Sequence, residues 1–393
     1  MHIFFSVGEP SGDQHAAQIM DHLRQQHPEI RFSGFGGPAM ARAGQSAIYP
    51  LTDLAVMGIG GVIPLLSQFW KLYRQAAALM RKDRPDAVVL VDFPGFNWWV
   101  ARAARQAGVP VFYYCPPQLW AWGGWRLRKL KRLVNCVFSV LPFEAKWYRE
   151  RGVDVEYVGH PFFDEVAAHQ LQQRVMDQLQ QAASPRVAIL PGSRKAEVNR
   201  NFPVMLDLIS DLHVQHPEVR FQVACYKKWH LDRCEELIRE RRQSLPIDLY
   251  LESTPEVVEA ADCCLMVSGS VSLELLARRK PTVVMYRGSP LLYVLAKILV
   301  GCPFMTLPNL IANRTIMPEF PFSRRRSPAV TRIKAILDEW LANPAARAQA
   351  QADVATLADR IVEAGGVRRA AETLLRRLNF TACNDNASQN HAA

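Results

Sequence analysis

The chain has 393 residues, 49% of them hydrophobic and 21% charged, which excludes a disordered chain and suffices for two domains with full cores. A net charge of +10 calls for an anionic partner: nucleic acid, an anionic membrane or a phosphorylated substrate. The eight cysteines form no C-x-x-C pair and have no companion histidines, so neither a zinc site nor a disulfide frame is expected. Glu9 interrupts the first apolar run, and no stretch reaches the roughly 18 apolar residues of a spanning helix, so neither a signal peptide nor a membrane span is expected.

Residues 2–165 alternate strand and helix. The strand at 2–7 runs into Gly8-Glu9-Pro10-Ser11-Gly12-Asp13 and then a helix to about Gln26. The two glycines permit a tight turn and close approach of another group, and Asp13 either caps or points into a cleft. This is not G-x-G-x-x-G, so a dinucleotide site is not indicated. A second strand, 31–37, ends in Gly36-Gly37-Pro38. Val56-Met57-Gly58 precedes a loop and a long helix over about 65–82. The strand at 86–91 opens into Asp92-Phe93-Pro94-Gly95-Phe96-Asn97. Asp92 is the first polar residue after the apolar run, at the carboxyl end where α/β folds do chemistry. Beside Phe93, Phe96, Trp98 and Trp99 it is partly desolvated and suited to general-base work; the alternative is a helix-capping Asp.

After a strand at 109–115 comes Trp120–Arg132, WAWGGWRLRKLKR. Tryptophans beside bases suit a membrane interface or anionic headgroup, and equally single-stranded nucleic acid or a solvated basic face. Strands at 137–141 and 155–158 follow, the second ending in Gly159-His160-Pro161, where His160 either lines a cleft or stabilises the turn. Residues 166–185, rich in Gln and Ala, read as a helical connector.

The second half alternates again, with strands at 186–190, 220–225, 247–251, 263–267 and 281–286 and helices between them, one of them near 202–216. In RVAILPGSRKAE a buried strand stops at Pro191, and Gly192-Ser193-Arg194 lead into a charged helix. Such a turn leaves backbone N–H groups facing open space, where anions bind, and Arg194 adds a guanidinium fork for phosphate. About seventy residues on, ADCCLMVSGSVSLE repeats the device: strand, Ser268-Gly269-Ser270, and Glu274 in the first turn of a helix. Ser and Gly at a helix start favour a diphosphate, and a carboxylate one turn in can accept both ribose hydroxyls. Together these describe a sugar-nucleotide pocket. No D-x-D or His/Asp cluster lies near either turn, so no metal and no cofactor is expected. Leu307-Pro308-Asn309-Leu310 forms a polar turn able to reach the cleft. Helices follow at about 328–342, 344–361 and 366–378, and residues 380–393 read as a polar tail.

The predicted class is α/β, two Rossmann-like domains facing a cleft, with C-terminal helices. The expected divisions are 1–165, a connector 166–185, a nucleotide-binding domain 186–345, helices 346–379 and the tail.

GEPSGD (8–13), GGPAM (36–40), AVMG (55–58), DFPGFN (92–97), PPQLWAW (116–122), LPFE (141–144), GHP (159–161), LPGSRKAE (190–197), SGSVSLE (268–274) and LPNL (307–310) occur in an order that resembles the lipid-A-disaccharide synthases, over about residues 2–378. The resemblance implies the GT-B architecture and an inverting transfer. UDP-2,3-diacylglucosamine would donate to 2,3-diacylglucosamine 1-phosphate, giving a β(1→6) disaccharide and UDP. It implies Asp92 as the essential base. Arg194, Ser193 and the Gly269–Ser270 backbone would take the diphosphate, and Glu274 the ribose. Glu9, Ser11, Gly12, Asp13 and Asn309 would border the donor; Met57, Gly58, Asn97, Gly192 and Ser268 would complete the substrate contacts. It further implies peripheral attachment to the cytosolic face of a Gram-negative inner membrane, no nucleic acid, and leaves a homodimer open. Pro10 stands where Thr is commoner in the family, which touches only one hydroxyl contact. Rival readings are a UDP-N-acetylglucosamine 2-epimerase, which needs no acceptor, a peptidoglycan glycosyltransferase, and a nucleic-acid-binding protein.

Overall fold

The computed structural model describes residues 1–55, 62–181, 185–290 and 301–390, with the side chains of 54–55, 62–65 and 380–390 left aside. Two compact units emerge, one made of 1–164 with 363–393 and the other of 165–362.

The first unit carries a parallel sheet of seven strands: β1 (His2–Val7), β2 (Arg31–Gly36), β3 (Ser46–Pro50), β4 (Ala87–Val91), β5 (Val111–Tyr114), β6 (Cys136–Ser139) and β7 (Val155–Tyr157). Their order is β3-β2-β1-β4-β5-β6-β7. The inner strands are near-continuous apolar runs because helices cover both faces, and β1 and β4 are buried along their whole length. Phe4, Phe35, Leu90, Val100 and Tyr113 lie in its core.

The second unit repeats the plan with β8 (Arg186–Leu190), β9 (Arg220–Cys225), β10 (Ile247–Leu251), β11 (Cys263–Val267), β12 (Thr282–Arg287) and β13 (Glu319–Phe322), ordered β10-β9-β8-β11-β12-β13. In both sheets the strand order reverses beside the first strand, between β1 and β4 and between β8 and β11. Those reversals are where open α/β sheets bind ligands.

Two sequence expectations change. The helix expected near 202–216 begins at Lys195 and carries Pro203 inside it. The last helix runs Gly366–Asn390, into the residues read as a tail, and no glycine or proline occurs in 367–390 to stop it. That helix packs on the Pro10–Gln26 helix of the first unit. Asp164 seats it by accepting hydrogen bonds from the Gly365 and Val367 N–H groups, and Arg369 donates to the Val158 carbonyl at 2.8 Å. Arg377 reaches both carboxylate oxygens of Asp154 at 2.9 Å.

Candidate active site

In the first unit the turns after β1 and β4 lie against each other at the reversal of strand order. Asp92 and Phe93 both adopt left-handed backbone, with φ of 45° and 42°, which non-glycine residues rarely do. The turn is held from behind. Asn97, fully buried, donates to the Ser6, Val91 and Asp92 carbonyls at 3.2, 3.1 and 2.8 Å and accepts from the Ser6 hydroxyl at 2.6 Å. The Tyr113 hydroxyl adds a second donor to the Asp92 carbonyl at 2.8 Å. Gly8 is required by proximity, since a Cβ there would lie 2.3 Å from the Phe93 ring. A Cβ on Gly12 would come within 3.4 Å of Asp92 Oδ2.

With its backbone fixed, the Asp92 carboxyl is aimed rather than free to relax. Burial, with the Glu9 charge adding to it, pushes Asp92 up to about 7. A carboxylate that titrates near neutrality is matched to taking a proton from a sugar hydroxyl. Glu9 and Ser11 are exposed.

Other residues expected to touch substrate are occupied elsewhere. Asp13 is buried and accepts from the Gly37, Ala39 and Met40 N–H groups at 2.8, 2.8 and 3.2 Å, capping the Pro38–Arg42 helix. Asn309 is buried in the second unit, donating to Met317 O and Glu319 and accepting from the Ile316 and Met317 N–H groups. Asn97 is spent as described. The hydrogen bonds of these three side chains fasten the backbone around them. His160 accepts from the Phe162 N–H at 3.2 Å, so it stabilises its turn, and burial lowers it to about 3. Met57 and Gly58 lie outside the described residues.

In the second unit the turns after β8 and β11 occupy the corresponding reversal. Gly192 has φ of 107°. The N–H groups of Ser193 and Arg194 do not face open space: both donate to Glu197 Oε2, at 3.0 and 3.3 Å. Glu197 stands at the third position of the helix and folds back over its start, a reciprocal cap. The Arg194 side chain remains 83% exposed, touching Glu197 only at 3.4 Å. Gly269 and Ser270 are exposed, and a Cβ on Gly269 would meet nothing within 4 Å, so the second turn is open for a ligand. Ser268 is half-buried just before it. Glu274 is buried beside Arg278 at 3.1 Å, and burial raises its pKa. Among the described residues no three His, Cys, Asp or Glu side chains gather as a metal would need.

The sequence model of the lipid-A-disaccharide synthetase family matches residues 3–355. Relatives agree: the lipid-A-disaccharide synthase of Myxococcus xanthus is 32% identical over 96% of this chain and 97% of its own. That of Pseudomonas entomophila is 34% identical over 80% and 83%. The chain belongs to the lipid-A-disaccharide synthetase family. It is therefore a glycosyltransferase of lipid A biosynthesis, and the family takes a sugar nucleotide and a lipid-sugar acceptor. Similar folds occur in a solved putative UDP-N-acetylglucosamine 2-epimerase from Listeria monocytogenes (10% identity, TM-score 0.65, 96% of each chain). MurG from Acinetobacter baumannii is another (14% identity, TM-score 0.59, 95% of this chain and 99% of that one). Both likenesses concern the GT-B fold alone.

Proposed function

We propose that the protein transfers a diacylglucosamine from UDP-2,3-diacylglucosamine to the 6-hydroxyl of 2,3-diacylglucosamine 1-phosphate, with inversion. The observation that carries this reading is Asp92, a carboxyl fixed at a strand reversal and pushed up to about 7 by burial. Asp92 takes the proton of the acceptor 6-hydroxyl as its oxygen attacks the anomeric carbon. The bond from that carbon to the diphosphate breaks, and the electron pair leaves with UDP. Arg194 and the exposed Gly269–Ser270 turn stabilise the departing charge. Glu274, sharing Arg278, holds the ribose. The first unit then serves the acceptor and the second the nucleotide. Product analysis with purified protein and both substrates tests the reading. Asp92→Asn should abolish disaccharide formation, a loss on the order of 10²–10⁴, while UDP affinity by calorimetry stays unchanged.

We also propose that the first unit binds the anionic cytosolic face of the inner membrane peripherally, since both substrates carry acyl chains. No helix among the described residues is long and apolar enough to cross a membrane. Trp122 and Trp125 are 59% and 80% exposed, and the Arg126 guanidinium lies over both rings, at 4.3 and 5.8 Å. Trp70, half exposed, packs edge-on against Trp99 at 5.6 Å, with Leu66 exposed a turn away. Besides Trp120–Arg132, the sequence offers Val62–Phe69 and Leu291–Val300 as docking segments, each apolar with Lys or Arg close by; Leu291–Val300 lies outside the described residues, as do the side chains at 62–65.

A further inference from the structure

We propose that Glu144 is a positioning residue of the transfer reaction: its buried carboxylate clamps the Trp120 indole, holding the Pro116–Trp122 stretch at the sheet end that carries Asp92. This rests on the assignment of Asp92 as the base.

The geometry is that of a built clamp. Glu144, in the first turn of the Pro142–Glu150 helix, is 2% exposed. One carboxylate oxygen accepts from Trp120 Nε1 at 3.0 Å and the other from the Ser139 hydroxyl at 2.7 Å. Phe143 meets the Trp120 ring edge-on at 4.8 Å. One turn further along the same helix face, the Tyr148 hydroxyl donates to the Pro117 carbonyl at 2.8 Å. The helix thus grips the segment at two points while Leu119 is buried between them. The segment begins at Cys115, another non-glycine residue in left-handed backbone, with φ of 50°.

A core built for stability alone would not place a carboxylate here, because an apolar side chain would fill the space without the cost of burying a charge. Burial pushes Glu144 up to about 7; its two donors oppose the rise, and the Asp92 charge adds to it. The other titratable groups around the pair are Glu9 from the first turn, Tyr113, Tyr114 and Cys115 from β5 and its end, and Tyr148 from the clamping helix. Arg126 acts on both Tyr113 and Tyr148.

The test compares Glu144→Met, which removes both acceptors, with Glu144→Gln, which keeps one for Trp120, and Trp120→Phe, which removes the N–H donor together with part of the ring. Glu144→Met and Trp120→Phe should each lower kcat roughly 10–100-fold through misplacement, with UDP affinity by calorimetry unchanged, and Glu144→Gln should keep most of the rate. Because the first two act through one hydrogen bond, the double variant Glu144→Met/Trp120→Phe should be little worse than the worse single. A folded Glu144→Met protein with wild-type kcat overturns the inference, and so do losses that multiply in the double variant. If Glu144→Met does not fold, Trp120→Phe with wild-type kcat overturns it alone. An active Asp92→Asn protein would instead sink the base assignment; an inactive one beside a wild-type-like Glu144→Met sinks only the clamp.

Discussion

The Asp92 carboxyl links chemistry to stability through one quantity. Its pKa in the fold, about 7, lies above the ordinary carboxylate value, so the folded state holds a proton that the unfolded chain releases. Between about pH 4 and 7 the unfolded state therefore binds fewer protons, and stability falls as pH rises through that window. Asp92→Asn removes the penalty. At pH 8 the variant should be more stable than the parent by on the order of 2–4 kcal/mol, the gap closing toward pH 4. Denaturant titrations at the two pH values measure it, and a gap independent of pH would remove the electrostatic basis for the base. Activity runs the other way, with kcat/KM of the parent rising as pH passes through about 7. Arg194 makes a separate case. Its side chain is mostly exposed and touches Glu197 with one nitrogen, leaving the rest of the guanidinium to meet an anion, so Arg194→Ala should weaken UDP by roughly 1.5–3 kcal/mol, the loss of a charged hydrogen bond. Calorimetry that finds UDP affinity unaltered would move the diphosphate away from this turn.

Between elements, the decisive contacts are made by buried amides and carboxylates. Asn97→Ala takes the partner of the Ser6 hydroxyl and a donor from the Ser6, Val91 and Asp92 carbonyls, of which Asp92 keeps Tyr113. It should cost about 2–4 kcal/mol of stability and reduce kcat with little change in UDP affinity. A variant as stable and active as the parent would show that the turn holds itself. This same class of residue marks what the sequence leaves hidden. Asp92 is legible as the first polar group after an apolar run. Asp13, Asn97 and Asn309 are also polar and also sit in turns, yet their side chains face inward, and one chain of letters does not separate a polar group that meets substrate from one that staples backbone. Glu197 and Glu144 read as ordinary first-turn acids, although the spacing from Arg194 to Glu197 carries a capping signal. Strands β8 to β11 were readable to the residue because apolar runs end at hard stops. The edge strands β3 and β13 were not, since Ser46, Pro50 and Glu319, Pro321 give them neither run nor alternation. Pro203 masked two turns of helix.

At the scale of the whole molecule, the proposed membrane docking rests on charge and aromatic surface. Lys and Arg near anionic lipid contribute about 1 kcal/mol each, a share that salt screens, while inserted tryptophans add a share that it does not. Binding to anionic vesicles should therefore fall only partly in high salt. Changing Arg126, Arg128, Lys129, Lys131 and Arg132 to Gln should lower vesicle affinity and activity on vesicle-borne acceptor more than activity in detergent; equal losses would place the segment in the fold or the site. A different consequence follows from the return of the last helix to the first unit. Chains emerge from the ribosome amino end first, and domains tend to fold as they emerge. Here residues 165–362 can close on themselves while the earlier 164 still lack Val367 and Gly365 for Asp164 and Arg377 for Asp154. The unit that bears Asp92 is thus the last to be completed, so a nascent chain can finish the second unit before the first, and a message cut short near codon 362 yields a product lacking the closing helix of the first unit.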